Sequence, residues 1–427
     1  MRASIAAASL ATILAAVPVA EAAAQANKHL GVATCATSVC HGKLAPQPNK
    51  NVNLNEFRIW LQEDRHARAF RTLDSAKSRE IAAKLGLGNA KAAKICLDCH
   101  MDHVPAAQRG PKFQVSDGVG CEACHGGAEK WVETHAAASA RHADNVARGM
   151  YPTEQPLARA KLCVSCHMGT RERFATHVIM AAGHPRLRFE LNVFTSLQPA
   201  HYGVDKDYVE RKGTIQGVNL WITGQLESAR RGLELLQSPL FHPPGITPEL
   251  AFYDCHACHH AMNDKRWTAK RAGPGIRPGA VRLQKQHLVM LRAMAEAVGS
   301  ATLAKELNDG TNALVRAGES DAAAVKAAAG ALLQSIKKLE PWARRQFTRA
   351  EVARIRKTLV AYAASDLASD YNAAEQVVLG AESLSYALDD RESVKSGLDA
   401  LFKAVERDST FNPTRFADVA RSVQARF

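Results

Sequence analysis

Past its opening residues the chain of 427 has no apolar run long enough to cross a bilayer. Between residues 30 and 260 it has no alternation of apolar and polar residues worth a strand. Helices and loops are what remain to build it. Aromatic residues are sparse, at 6%, and no compact basic stripe interleaves with them. The formal charge of +13 therefore lacks the footprint of a nucleic-acid binder, and no nucleic-acid partner is expected. Cysteine never stands alone, and none follows Cys258.

What is present begins with MRASIAAASLATILAAVPVAEAAAQANK. Arg2 supplies a short positive region, Ile5 to Val17 an apolar one, and Ala20-Glu21-Ala22 or Ala24-Gln25-Ala26 a small-residue cleavage site. This reads as a signal peptide over residues 1–26. An uncleaved anchor is the other reading, but the run is shorter than a span and Pro18 interrupts its end. The mature chain is expected in the periplasm, with membrane association only through a partner.

The ten cysteines fall into five pairs: Cys35/Cys40, Cys96/Cys99, Cys121/Cys124, Cys163/Cys166 and Cys255/Cys258. A histidine follows each pair directly: His41, His100, His125, His167 and His259. Four of the strings, "CLDCH", "CEACH", "CVSCH" and "CHACH", are C-x-x-C-H, the pattern of c-type haem attachment. Two thiols form thioethers with the vinyl groups on one edge of the porphyrin. The next histidine then turns under the ring as proximal iron ligand. Zinc would need pairs of pairs and gives no reason for the histidines. A redox disulfide explains one such string, not several.

The first string, "CATSVCH", has four residues between its cysteines, and alone it is equally a disulfide loop. Beside four haem strings it reads as the first of five sites, with the two extra residues bulging outward. Five covalent haems c would bring roughly ten propionate charges, which nearly offset the basic excess.

The chain changes character after residue 280. Cysteine disappears, alanine rises, and apolar residues recur at helical spacing. Expected helices are Leu283 to Val298, Asp321 to Leu339, Thr348 to about Tyr362, Tyr371 to Leu388, Glu392 to Val405 and Pro413 to Ala425. Thr348-Arg349-Ala350-Glu351 is a capping-box pattern. Shorter helices are expected over 54–70, 78–85, 128–148 and 225–236. The fold class is mainly α. A loop-rich multihaem domain with short helices (27–263) leads through a Pro- and Gly-containing linker (264–280) to an α-helical bundle (281–427).

Three segments carry a family resemblance. "EFRIWLQEDRHARAF", "DGVGCEACHGGAEKWVETH" and "AAGHPRLRFEL" resemble stretches of multihaem cytochromes c related to the tetrahaem cytochrome that accepts electrons from hydroxylamine oxidoreductase. The likeness covers roughly residues 30 to 262 and none of the helical part. It implies that His66, His135 and His184 are distal iron ligands, often to a haem other than the nearest in sequence. "QPAHY" adds His201. His142, His242, His260 and His287 compete for what remains, His103 is poorly placed to reach around its own haem, and His256 is read as a spacer. This chain departs from the tetrahaem relative in its fifth motif, its longer first bridge and its added helices.

Closely spaced motifs imply closely packed haems. The expected function is electron transfer between periplasmic or membrane-associated redox partners. The rival is an oxidoreductase acting on nitrite, hydroxylamine or a sulfur oxyanion at one open iron, where Arg186, Arg188, Tyr202 and Tyr253 are available. A third reading makes the helical part a docking module. The catalytic residues, the partners and the oligomeric state are not specified by the sequence.

Overall fold

The computed structural model describes residues 27–47, 52–245, 247–260, 276–277 and 280–427. The expected signal peptide, and the linker apart from residues 276, 277 and 280, lie outside the described residues. The architecture is mainly helical, as its sequence implies. Among the described residues β structure is limited to two isolated bridges, His29 with Arg109 and Tyr253 with Leu283. No helix there is long and apolar enough to cross a membrane.

The amino-terminal half is a string of short pieces around the cysteine motifs. Its longer helices are α1 (Glu56–Glu63), α2 (Ala76–Lys84) and α3 (Pro156–His167). Pro156 opens α3, where its missing N–H costs no hydrogen bond. The helix expected over 128–148 is only a 3₁₀ turn, Thr134–Ala136, and a short helix, His142–Ala147. The reason is local: the chain turns so that the His135 Nδ1–H donates to the Val132 carbonyl (2.5 Å), with Trp131 edge-on to its ring at 5.3 Å.

The second half is a helical bundle: α4 (Gly217–Leu236), α5 (Gln286–Ala297), α6 (Ala301–Ala317), α7 (Ala322–Lys337), α8 (Arg349–Ala363), α9 (Tyr371–Ala387), α10 (Arg391–Ala404) and α11 (Pro413–Val423). The Thr348–Glu351 capping box is formed in full. α6 lies outside the sequence expectations. It contains Asp309-Gly310, a pair that usually marks a turn. Gly310 serves packing instead, since a Cβ there would sit 2.7 Å from the Leu332 side chain of α7.

One apolar core runs from Val218 to Val423, with Trp221, Ile222, Met290, Leu307, Leu359 and Leu398 fully buried. α4 thus lies before the expected linker in sequence and inside the bundle in space. Its Gly224 allows Leu191 to come close; a Cβ there would stand 2.6 Å from that of Leu191. Leu191, with Phe189, Ala160 and Val164, forms a second, smaller core. The cysteine-rich half is therefore packed directly onto the bundle through α3 and α4.

Candidate haem sites

Each motif histidine is set by the backbone of its own motif. Three of the motifs are helical, within Lys94–His100, Cys121–His125 and α3. In the fifth motif the His259 N–H donates to the Cys255 carbonyl at 2.7 Å, one helical turn back. The first motif makes the same closure despite its longer bridge: the His41 N–H donates to the Cys35 carbonyl at 3.1 Å. The additional residues bulge outward, leaving Val39 80% exposed. Gly42 follows because a Cβ there would lie 2.0 Å from the Ala36 carbonyl oxygen. All ten cysteines are free.

Each motif histidine faces one histidine from elsewhere in the chain. The ring centres are 6.1 Å apart for His41 and His135, 6.2 Å for His167 and His66, 6.4 Å for His100 and His184, and 6.2 Å for His125 and His201. The fifth, His259, faces His177 at 6.2 Å. At these separations the paired rings do not reach each other through a direct hydrogen bond. A metal between two imidazoles, with bonds of about 2 Å to each nitrogen, holds the ring centres about 6 Å apart. The residues therefore fit a haem iron at every pair.

The outward nitrogens support the same geometry. Nδ1–H donates to Glu56 in His41 (2.8 Å) and to Asp64 in His66 (2.8 Å). It donates to the Ala69 carbonyl in His100 (2.9 Å) and the Pro185 carbonyl in His184 (2.8 Å). With Nδ1 occupied, Nε2 is left to face the partner ring, the arrangement usual for metal-bound imidazole. Hydrogen bonds to the carboxylates raise the His41 and His66 imidazoles above their usual range, which makes them stronger donors. Burial pushes His125 and His167 down to about 4 each, so both are neutral and able to ligate. Burial also favours the neutral form of Asp64, but bonds from the His66 side chain and backbone and from Gln198 outweigh it and hold the carboxyl at about 2.

Four motifs open onto one continuous cavity of about 2930 Å³, lined by their cysteines and by His66, His135, His184 and His201. One ligand site takes on the order of 300–1,000 Å³, so this space suits several large groups side by side. The thiols cross between motifs: Cys35 lies within hydrogen-bonding reach of Cys121, and Cys99 of Cys166. The first site therefore adjoins the third, and the second adjoins the fourth. The fifth motif lies apart. Its Cys255 borders a smaller cavity of about 140 Å³ with Arg186, Lys285 and Glu375.

Residues 34–126 match the family model of cytochrome c554 and c-prime. The matched stretch contains the first three motifs. This similarity supports a c-type cytochrome, with covalently bound haem and a role in electron transfer. No curated protein and no solved structure matches the chain.

The three distal candidates taken from the resemblance, His66, His135 and His184, and the fourth from "QPAHY", His201, all stand opposite motif histidines. His177 stands opposite the fifth and is not among those candidates. Its segment, "RFATHVIM", has no motif to mark it, and only the need for a fifth partner could have drawn attention to it. Of the competitors, His142 and His287 are engaged elsewhere. His142 Nε2 is 2.9 Å from Glu154, His287 binds Gln225, and His242 is exposed beside Phe241. His103 Nδ1 lies 3.1 Å from Asp98. His256 is more than a spacer: it is buried, and its Nε2–H donates to the Asp408 carbonyl at 2.7 Å. Of the groups available to a catalyst, Arg186 and Arg188 pair with Glu375 at 3.0 and 3.6 Å. Tyr202 packs between the rings of His201 and Tyr208, and Tyr253 is buried. These four do not converge on one site.

Proposed function

We propose that this chain is an exported c-type cytochrome that carries five covalent haems and passes electrons between redox partners of the periplasm or membrane surface. Cys35/Cys40, Cys96/Cys99, Cys121/Cys124, Cys163/Cys166 and Cys255/Cys258 would hold the haems, with His41, His100, His125, His167 and His259 as proximal ligands. His135, His184, His201 and His66 would be the distal ligands of the first four irons in motif order. Haem supplies one-electron chemistry, and its axial ligands tune the potential.

The observation that carries the reading is the pairing of imidazoles around the shared cavity, with ring centres 6.1 to 6.4 Å apart. Two protein ligands leave an iron no position for nitrite, hydroxylamine or a sulfur oxyanion. An enzyme of that type needs such a position and groups that deliver protons to it. Contact between thiols of different motifs supports haems close enough for transfer from one to the next. The bundle supports this half mechanically, since its amphipathic faces are spent on the common core.

The test is mass spectrometry of the mature secreted chain, followed by mixing the reduced protein with nitrite, hydroxylamine or tetrathionate. Five haem additions and no steady consumption of any of the three are expected. Turnover of any one would replace this reading with the enzymatic one.

A further inference from the structure

The fifth motif has no counterpart in the matched segment, and its surroundings differ from the other four. Its distal side is formed by the short helix His177–Ala181, begun by Thr176, whose side chain accepts the Ile179 N–H at 3.4 Å. Two contacts clamp that helix to the strand of chain leading into the motif. The His177 N–H donates to Glu249 Oε1 at 2.7 Å, and the same oxygen accepts the Ala251 N–H at 2.9 Å. Phe174 stacks on Phe252, with ring centres 5.0 Å apart and planes within 13°. Glu249 and Phe252 precede Cys255 by only a few residues, so the position of His177 is tied to that of the motif.

The same short segment ends at His184, which faces His100 of the second motif. The turn between them is fixed. The His184 N–H donates to the Ile179 carbonyl at 3.2 Å, and Gly183 takes a φ of +118° that other residues rarely adopt. From these observations we infer that His177 is the distal ligand of the fifth haem iron. One segment, His177–His184, then carries distal ligands to two sites and fastens the fifth haem to the second.

The remaining surroundings suit the same group. Arg186 and Cys255 line the same small cavity. The Arg186 Nε is buried without a partner. A haem brings propionates, and a buried guanidinium with an unused donor suits such an anion. The inference rests on the proposed haem attachment, and the two fail in different ways.

The test compares wild-type holoprotein with His177→Ala and His177→Met, using haem count by mass, electron paramagnetic resonance and optical spectra. The wild type should be low-spin throughout. His177→Ala should keep five haems while one of the five becomes high-spin, and added imidazole should return it to low-spin. His177→Met keeps a ligand of similar reach; one haem should shift to a more positive potential, which also serves if the alanine variant does not fold. His242→Ala, at an exposed histidine, should change nothing. Five haems with a fully low-spin spectrum in His177→Ala, together with unshifted potentials in His177→Met, would overturn the inference. A wild-type fifth iron that is already high-spin would do so as well. Fewer than five haems in the wild type would instead overturn the attachment reading.

Discussion

The imidazole of His256 donates through Nε2 to the backbone carbonyl of Asp408, 2.7 Å away and 152 residues further along the chain. One of the two residues between the last two cysteines is thereby bonded to the carboxy-terminal helices. Its ring also lies 5.3 Å from Tyr371 and 6.0 Å from Phe411. His256→Ala leaves the attachment cysteines and His259 intact, so the haem count should not change. It removes one hydrogen bond to a carbonyl that the Phe411 N–H also reaches at 3.1 Å, and it opens a space between two aromatic rings. The lost bond alone should cost about 0.5–1.5 kcal/mol. Thermal unfolding of the holoprotein measures this. An unchanged midpoint would mean that the contact contributes nothing.

The first motif is tested by its thiols. Cys35→Ala combined with Cys40→Ala should lower the mass by one haem and leave the other four attached. The closure between the His41 N–H and the Cys35 carbonyl is what predicts this result. An unchanged haem count would return Cys35 and Cys40 to the disulfide reading.

His287 gives the protein a pH dependence separate from the haem ligands. It is buried in α5, its Nδ1–H donates to Gln225 Oε1 at 2.8 Å, and Gln225 in turn donates to Gln376 at 2.9 Å. Burial pushes its imidazole down to about 3. In the unfolded chain it titrates near about 6.5, so between those values the unfolded state binds the extra proton. The contribution is complete above about pH 6.5 and is lost as pH falls toward 3, amounting to a few kcal/mol at the acid end. Urea unfolding at pH 7 and pH 4.5 should show a steeper loss for wild type than for His287→Gln. Equal losses would refute this role.

Gly224 sets the distance between the bundle and the cysteine-rich half. A Cβ added there would stand 2.6 Å from that of Leu191. Gly224→Ala should force α4 and the helix Leu191–Leu197 apart, at a cost of about 1–3 kcal/mol from overpacking. Differential scanning calorimetry is the check, with haem content unchanged.

The five cysteine–histidine motifs are legible in the sequence because covalent haem attachment would demand a fixed local string. The bundle helices α5 and α7 to α11 were legible because burial of one face imposes a period on sequence. What escaped depends on contacts between distant segments. α4 reads as a short helix beside the motifs until its apolar faces meet α5 and α9. Gly310 looks like a turn until Leu332 fills the space beside it. His177 carries no local pattern, and only the folded chain brings it to His259. His256 has the same history, since its partner is a backbone carbonyl in the last quarter of the sequence.

Coordination of the proposed haem irons is the property that separates electron transfer from catalysis most directly. Electron paramagnetic resonance and optical spectra of the oxidised holoprotein, recorded with and without nitrite, hydroxylamine or tetrathionate, measure it in one experiment. Five histidine pairs spaced for an iron predict a low-spin spectrum that none of the three additives alters. A substantial high-spin population that shifts on addition of one of them would contradict the account and identify an open, reactive haem.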